Sequence, residues 1–282
     1  MIIIRKVKEM RRRASDWRKE GKTIAFVPTM GFLHEGHISL MREGRERADV
    51  LVVSIFVNPA QFAPNEDLDR YPRDFEGDEK KCRTNGVDAI YCPSVEEMYP
   101  AGYQTFVNVR EISQGLCGAS RPTHFQGVAT ICAKLFIAVK PHYAIFGEKD
   151  YQQLQVIRRM VKDLDMDLEI IGMPTVRESD GLAMSSRNKY LNPDERRRAP
   201  ALYQSLKAAK ATFKKGERDP NKIVGIVKKA LKKAEPCEID YVEVRDALDL
   251  TPIERIGNKP AVVALAVKIG ATGLIDSLVL KT

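Results

Sequence analysis

The sequence lacks the marks of several protein classes. No stretch of its 282 residues approaches the roughly 18 consecutive apolar residues that would cross a bilayer. Its start, MIIIRKVKEMRRR, places three isoleucines before a basic run, which is the reverse of a secretory signal. The five cysteines include no C-x-x-C pair, so neither a disulfide framework nor a zinc knuckle is expected. With 44% hydrophobic and 30% charged residues, the composition predicts a cytoplasmic globular enzyme without a membrane segment.

Familiar catalytic and nucleotide-binding motifs are also missing. Neither G-x-x-x-x-G-K-[ST] nor G-x-G-x-x-G occurs, so a nucleotide site here needs a different set of phosphate ligands. The G-x-S-x-G elbow is absent and no histidine follows Ser186, which argues against a serine hydrolase in its usual chain order.

Positive charge is concentrated towards the C-terminus. Residues 1–175 carry 25 basic and 24 acidic residues, whereas residues 176–282 carry 21 basic and 14 acidic residues. This asymmetry favours a part that meets an anion, either a nucleic acid or a polyphosphate. A solvated, lysine-rich helix surface is the alternative explanation.

Apolar strands alternate with helices over the first 175 residues. Strands are predicted at 23–28, 49–57, 88–92, 142–146 and 167–172, and helices at 6–20, 34–47, 75–85, 124–139 and 151–164. This order predicts an α/β domain, 1–175, with a Rossmann-like parallel sheet that binds ligands at the carboxyl ends of its strands.

A different order follows residue 175. Helices are predicted at 194–216 and 220–234, and strands at 239–245, 261–268 and 273–280. Helices followed by strands predict a second, smaller α+β domain over 176–282.

The segment PTMGFLHEGH begins where the first of these strands ends. Met30 and Gly31 are expected to turn the chain into a helix on which His34 and His37 share a face, with Gly36 between them. Because a helix N-terminus offers N–H groups to phosphate, the segment predicts a nucleotide-phosphate site with two imidazole donors. The alternatives are two structural histidines or a zinc pair, although metalloprotease helices space their histidines four apart.

The segment FVNPAQF follows the strongly β-branched strand at 49–57. It places Asn58 and Gln61 at the same edge of the sheet, where amides can both donate to and accept from a hydroxyl-bearing substrate. An ordinary Asn-Pro turn with an exposed glutamine is the alternative.

The segment FGEKDYQQ lies at another predicted strand-to-helix junction. Gly147 permits close approach of a ligand to the backbone, Lys149 supplies a phosphate-directed charge, and Asp150 can hold a ribose hydroxyl. Gln153 is expected to face the same pocket. An Asp N-cap beside a surface lysine would explain Asp150 but not the other three residues.

The segment VRESDGLAMSSRN lies at the predicted domain boundary. Ser185, Ser186 and Arg187 provide two hydroxyls and a guanidinium, a set suited to holding phosphate. His124 and His142, by contrast, are predicted to be structural residues at the start of a helix and of a strand.

These four segments, together with RPTHFQGV, resemble the pantoate–β-alanine ligase family over nearly the whole chain. That family belongs to the His-x-Gly-His nucleotidyltransferase superfamily, which also includes class I aminoacyl-tRNA synthetases. The resemblance implies that pantoate and β-alanine are condensed at the expense of ATP through a pantoyl adenylate, with release of AMP and pyrophosphate. It also implies Mg²⁺ carried on the ATP phosphates, without a protein-only metal cage, and a homodimer.

The resemblance further implies a role for individual residues. His37 is the proton donor, and Met30, Gln61 and Gln153 hold pantoate. Donors to the phosphates are His34, His37, Lys149, Ser185, Ser186 and Arg187, and Arg121 is expected to approach the phosphates as well. Residues expected to contact ATP are Met30, Gly31, His34, Gly36, His37, Gly147, Glu148, Lys149, Asp150, Val176, Met184, Ser185, Ser186 and Arg187.

Three other functions remain open from the residues alone. A tRNA-linked adenylyltransferase or RNA-binding protein would explain the basic C-terminal part, although no RNA-binding motif is visible and nucleic acid is not the expected partner. A cofactor adenylyltransferase would not need paired glutamines, and a non-catalytic binding protein would not need convergent phosphate donors.

We expect residues 176–282 to act as a basic lid over ATP.

Overall fold

The computed structural model describes residues 1–281, which form two compact units. The first unit comprises Met1–Arg110, Arg121–Gly147 and Val156–Pro174. The second comprises Glu111–Ser120, Glu148–Gln155 and the chain from Thr175 onward. Two short segments from the middle of the chain therefore belong to the second unit.

The first unit is built on a six-stranded parallel sheet. Its strands are β1 (Ile2–Ile4), β2 (Ile24–Thr29), β3 (Val50–Ile55), β4 (Ala89–Tyr91), β5 (Tyr143–Gly147) and β6 (Glu169–Met173). The spatial order is β1-β4-β3-β2-β5-β6, so the direction of winding changes between β2 and β5. In sheets of this kind, ligands bind at that change, beyond the carboxyl ends of the strands.

Pro28 lies beyond the last residue of β2 that pairs with β5. β2 is in register with β3 over its whole length, ending with Thr29 opposite Ile55. Its register with β5, in contrast, comprises Ala25 and Phe26. Proline has no N–H to donate to a ladder, and the pairing of β2 with β5 ends before Pro28.

Helices cover the sheet and build the second unit. In chain order they are α1 (Val7–Lys19), α2 (Glu35–Arg47), α3 (Phe75–Thr84), α4 (Val95–Met98), α5 (Cys117–Ser120), α6 (His124–Val139), α7 (Tyr151–Asp163), α8 (Pro193–Arg198), α9 (Ala201–Lys214) and α10 (Pro220–Leu231). α1 illustrates why they form: Met10, Ala14 and Trp17 recur at helical spacing and are buried, while the rest of the helix is largely charged. Within residues 1–281 no helix is both long and apolar enough to span a membrane.

The second unit has its own sheet and core. Its strands β7 (Glu238–Asp246), β8 (Ala261–Ile269) and β9 (Thr272–Leu280) are antiparallel, in the order β7-β8-β9. α9 and α10 pack on this sheet through Leu206 and Ile223, both fully buried. A parallel α/β sheet accompanied by a smaller α+β unit confirms the predicted fold class.

Two details of the prediction are wrong. The helix predicted over 194–216 is two helices, α8 and α9, because Pro200 lies between them and cannot donate the N–H that a continuous helix needs. The helix predicted over 220–234 ends at Leu231 and continues as a 3-10 turn, Lys232–Ala234. Strand β1, which pairs with β4 at the edge of the sheet, was not predicted.

Candidate active site

The first group of predicted site residues lies at the carboxyl end of β2. Thr29 ends the strand, and its Oγ1 donates to Ser54 O (2.7 Å) and accepts from Gly31 N–H (3.1 Å). Gly31 has a φ of +85°, which suits glycine. The turn that begins at Met30 is thus anchored to β3 before α2 starts.

His34 and His37 lie against each other at the N-terminus of α2. Their ring centroids are 4.1 Å apart, with Gly36 between them in the first turn. His34 is the N-cap residue, and its backbone N–H donates to His37 Nδ1 at 3.3 Å. The structure therefore brings the two histidines together as the i, i+3 spacing predicted.

This hydrogen bond determines the chemistry that His37 can perform. Because Nδ1 accepts a hydrogen bond, a neutral His37 ring carries its hydrogen on Nε2. Nε2 is then the atom that can donate to a phosphate oxygen, and the backbone of His34 holds the ring in that state.

Gln61 reaches the first residue of the histidine segment. It ends the short 3-10 turn Pro59–Gln61 after β3. Its Nε2 lies 3.1 Å from Met30 Sδ, and its Oε1 accepts from Asn58 Nδ2 at 3.1 Å. Two of the three residues predicted to hold pantoate, Met30 and Gln61, are thus in contact.

Asn58 is 1% exposed and uses its amide within the protein. Its Nδ2 also donates to Gly127 O (3.1 Å), and its Oδ1 accepts from Tyr99 Oη (2.8 Å) and from Ala60 N–H (3.3 Å). Burial raises the pKa of Tyr99, which keeps its hydroxyl protonated as the donor. Asn58 therefore fixes the turn and the side chain of Gln61, a role that the amide pattern alone did not distinguish from substrate binding.

The main-chain carbonyl of Gln61 is held from α6 and the segment before it. Arg121 Nη2 donates to Gln61 O at 3.2 Å, and the same guanidinium forms a bidentate pair with Glu66 (2.6 and 2.5 Å). His124 Nδ1 lies 2.9 Å from the same carbonyl and is its donor. The structure thus pairs Arg121 with Glu66. It places His124, predicted as a structural residue at the start of a helix, among the donors to the Gln61 carbonyl.

The second group of predicted site residues belongs to the second unit. Glu148–Asp150 form a 3-10 turn that leads into α7, and Lys149 Nζ lies 3.4 Å from Asp150 Oδ1. Ser277 Oγ on β9 donates to Glu148 O at 3.3 Å, and Tyr151 Oη donates to Ala247 O at 2.8 Å. These bonds hold the backbone carbonyl before Lys149 and the tyrosine side chain that follows it.

The two adjacent glutamines of this segment differ in their surroundings. Gln152 is 7% exposed; its Oε1 accepts from Cys117 N–H (3.0 Å), and its Nε2 donates to Ile112 O (3.1 Å) and Gly115 O (2.7 Å). Gln153, the residue predicted to hold pantoate, is half-buried. Gln152 is therefore an internal support of the second unit.

The segment after Pro174 folds back on itself. Met184 N–H donates to Val176 O at 3.0 Å, so these two predicted ATP contacts are neighbours. Arg177 between them forms a bidentate pair with Asp276 (2.7 and 2.9 Å) and stacks on Tyr203, its guanidinium carbon 3.8 Å from the ring centroid. This half-buried pair ties the segment to strand β9 of the second unit.

Ser185, Ser186 and Arg187 begin the next turn. Ser185 is the N-cap of the 3-10 turn Ser186–Tyr190, and its Oγ accepts from Arg187 N–H at 3.2 Å. A hydroxyl that accepts in this way keeps its own hydrogen for donation. Ser186 is buried, whereas Arg187 is half-buried.

The predicted site residues thus form two groups. Those in the first unit are Met30, Gly31, His34, Gly36, His37, Gln61 and Gly147; those in the second are Glu148, Lys149, Asp150, Gln153, Val176, Met184, Ser185, Ser186 and Arg187. Lys149, assigned to domain 1–175 from the sequence, is among the latter. Among residues 1–281, no three His, Cys, Asp or Glu side chains are grouped as ligands of a metal ion.

Comparisons of sequence and of structure relate this chain to the same family of proteins. The profile of the pantoate-beta-alanine ligase family matches residues 2–279. A protein of Pelotomaculum thermopropionicum named pantothenate synthetase is 55% identical over 280 residues, which are 99% of each chain. The crystal structure of pantothenate synthetase from Thermus thermophilus superposes with a TM-score of 0.91 at 42% identity, covering 99% of both chains. The ligase of Francisella tularensis, solved in complex with a β,γ ATP compound and β-alanine, gives a TM-score of 0.81 at 33% identity, covering 99% of this chain and 97% of its own.

Proposed function

The chain belongs to the pantoate–β-alanine ligase family, and from this premise we propose that it joins pantoate to β-alanine at the expense of ATP through an enzyme-bound pantoyl adenylate. The observation that carries the proposal is the N-terminus of α2. There His34 N–H holds His37 with its hydrogen on Nε2, at the carboxyl end of β2 and beside the Met30–Gln61 contact. Two imidazoles and a polar amide lie at the carboxyl edge of the sheet, a place suited to phosphate and substrate binding, which supports the proposal.

In the first proposed step, a pantoate carboxylate oxygen attacks the α-phosphorus of ATP. The bond from that phosphorus to the bridging oxygen of the β-phosphate breaks, and pyrophosphate leaves with the electron pair. Negative charge grows on the phosphate oxygens, so donors fixed in advance lower the barrier. His37 Nε2–H is such a donor, and Gln61 Nε2 presents a hydrogen to a pantoate hydroxyl or carboxylate.

In the second proposed step, the amine nitrogen of β-alanine attacks the acyl carbon of the adenylate. The bond between that carbon and the phosphate oxygen breaks, AMP leaves, and the nitrogen loses a proton as the amide of pantothenate forms. Neither step places an acyl or adenylyl group on the protein. We therefore expect no covalent intermediate on Ser185 or Ser186.

The second unit is proposed to supply the remaining phosphate donors. The side chain of Lys149 is 20% exposed, and the carbonyl of the preceding residue, Glu148, accepts a hydrogen bond from Ser277 Oγ. The hydroxyls of Ser185 and Ser186 and the guanidinium of Arg187 add donors of different strength, since charged groups form the stronger hydrogen bonds to phosphate. Residues 176–282 are proposed to close over ATP as a lid.

Magnesium is proposed to accompany ATP as a phosphate-bound ion. The carboxylate of Asp150, 46% exposed beside Lys149, suits a hard cation that keeps several waters and takes one or two protein oxygens. When bound, the ion would neutralise charge on the phosphates.

The protein is proposed to form a homodimer, and light scattering of the purified protein tests this.

Exchange of labelled pyrophosphate into ATP tests the proposal. We expect exchange to require pantoate and Mg²⁺, and to proceed without β-alanine and without tRNA. Exchange that appears only with β-alanine would show that ligation is concerted. Dependence on tRNA, or exchange supported by a phosphorylated cofactor precursor in place of pantoate, would show that one of the alternative adenylyltransferase functions is correct.

A further inference from the structure

An unusual backbone conformation precedes helix α2. Gly31 has a φ of +85°, and Phe32 has a φ of +53°. Two consecutive residues in the left-handed region are uncommon, and an aromatic residue there is strained. Such a conformation persists when the surrounding structure holds it, so the Gly31–Leu33 turn needs a partner.

Asp78 on α3 is that partner. It is 1% exposed, and its two oxygens each accept one backbone N–H: Oδ2 from Phe32 and Oδ1 from Leu33, both at 2.7 Å. A carboxylate accepting from consecutive N–H groups forms charge-assisted hydrogen bonds, which are stronger than neutral ones. Lys81 Nζ lies 3.9 Å from Oδ1 and balances part of the charge.

The fit between Asp78 and the turn leaves no spare room. A Cβ placed on Gly31 would lie 3.0 Å from Asp78 Oδ2 and 3.0 Å from Ile55 Cγ2. On its other side, the turn is held by the bond from Gly31 N–H to Thr29 Oγ1 (3.1 Å). The carboxylate therefore sits directly beneath the main chain that leads into α2.

The residue after this turn is His34, whose own N–H holds His37 Nδ1. We propose that Asp78 is a positioning residue for adenylation: by fixing the N–H groups of Phe32 and Leu33, it sets the direction of His34 N–H and so the tautomer and orientation of His37. This inference rests on the proposed function, since it assigns Asp78 to the step in which His37 donates to phosphate. The proposed role of Asp78 acts through the main chain before His34 and not through contact with substrate.

Asp78→Asn is the main test. An amide offers one oxygen where the carboxylate offers two, so one of the two backbone N–H groups faces an NH₂ group and loses its acceptor. We expect pantoate-dependent exchange of pyrophosphate into ATP to fall about 10- to 100-fold, the scale typical of a displacement of about 1 Å at a reacting group. The rate at which β-alanine consumes chemically prepared pantoyl adenylate should stay within about twofold of wild type, because pyrophosphate, whose departing charge His37 is proposed to stabilise, takes no part in that step.

Asp74→Asn is the matched control. Asp74 is the N-cap of the same helix, and its Oδ1 accepts from Gly77 N–H at 3.0 Å. Asparagine caps helices as well as aspartate does, so this variant removes the same charge one turn away and keeps the helix start. We expect both half-reactions to remain at wild-type rates.

Phe32→Gly tests whether the backbone strain at Phe32 is the reason that the turn depends on Asp78. Glycine adopts positive φ without the penalty that phenylalanine carries, so the turn needs Asp78 less. Asp78→Asn should therefore reduce exchange by a smaller factor in the Phe32→Gly background than in the wild type. Losses that simply multiply would overturn the proposal. If Asp78→Asn alone does not fold, the two half-reactions are instead compared in the Phe32→Gly background, with and without Asp78→Asn.

Amide NMR gives a readout independent of activity. The Phe32 and Leu33 amide protons should lie downfield in the wild type, and at least one should move upfield in Asp78→Asn. Unchanged exchange in Asp78→Asn, or equal losses in both half-reactions that follow the folded fraction, would overturn the positioning role. Absence of pantoate-dependent exchange in the wild type would instead overturn the proposed function, and the role in adenylation with it, whatever the amide shifts show.

Discussion

Replacing Gly127 by alanine should separate substrate positioning from fold stability. Gly127 lies in the first turns of α6, where the Pro59–Gln61 turn packs directly on the helix backbone. A Cβ on Gly127 would lie 2.1 Å from Ala60 O and 2.7 Å from Gln61 N. Since ordinary contact begins near 3.4 Å, the turn must retreat by about 1.3 Å.

The structure gives different magnitudes for stability and activity. Overpacking of this kind costs about 1–3 kcal/mol, and the better helix propensity of alanine offsets about 1 kcal/mol. The free energy of unfolding should therefore fall by at most about 2 kcal/mol. Displacing Gln61 by more than 1 Å, while weakening the Asn58 bond to Gly127 O, should lower kcat/KM for pantoate by about 100-fold.

Steady-state kinetics with pantoate and ATP varied separately, together with urea unfolding, measure both effects. We expect kcat/KM for pantoate to fall while KM for ATP changes by less than about threefold, because the histidine turn is not displaced. Gly225→Ala in α10 is the control: this helical glycine is exposed and has no atom within 4 Å of the added Cβ. It should keep wild-type kinetics and gain up to about 1 kcal/mol.

Wild-type pantoate kinetics in Gly127→Ala would refute the reasoning, since the position of Gln61 would then not depend on the contact between its turn and α6. A uniform loss of activity in proportion to unfolded protein would refute it as well. In that case the Ala60–Gly127 contact would serve the fold alone.

Three further measurements follow from the structure. His142 Nδ1 accepts Ile24 N–H at 2.9 Å, and burial is the main cause that lowers the pKa of His142 from 6.5. The stability that neutral His142 contributes above pH 6.5 should therefore be lost as the pH falls through the lowered pKa. Urea unfolding at pH 7.5 and below pH 6 measures this loss, which His142→Asn should not show. Lys149→Ala should slow single-turnover adenylation by a factor of about 10²–10³ with little change in ATP binding. Ser186→Ala should slow adenylation by a smaller factor, and the control Lys162→Ala, on an exposed part of α7, should leave the rate unchanged. An ATP analogue should protect 178–188 from protease if residues 176–282 act as a lid, and equal cleavage with and without it would contradict the lid.

Most of the fold follows from local patterns that a sequence displays. β3 is a mostly buried strand rich in β-branched residues, and α1 buries one side at helical spacing, so both were predictable. β1 was not, because three isoleucines form a strand only through their pairing with β4, about 87 residues away. The break at Pro200 was visible in the sequence, and the continuous helix predicted there ignored the missing N–H.

The grouping of the candidate residues was predictable, and that of their supports was not. His34 and His37 pair through local spacing, and Gln61 reaches Met30 because the carboxyl ends of neighbouring parallel strands share an edge. Asp78, in contrast, lies 46 residues from Phe32 and belongs to a helix with many charged residues. No spacing rule separates its buried carboxylate from the exposed ones beside it.

The supports share one physical property: they bind main-chain atoms. Asn58 fixes the turn that carries Gln61, Arg121 and His124 hold the carbonyl of that glutamine, and Asp78 holds the N–H groups before His34. A ligand side chain can be recognised from its chemistry, but its direction is set by backbone that only a distant partner can fix. Because each partner's polar atoms are used internally, its loss leaves the ligand residue present and misdirected, and kinetics rather than binding chemistry will reveal it.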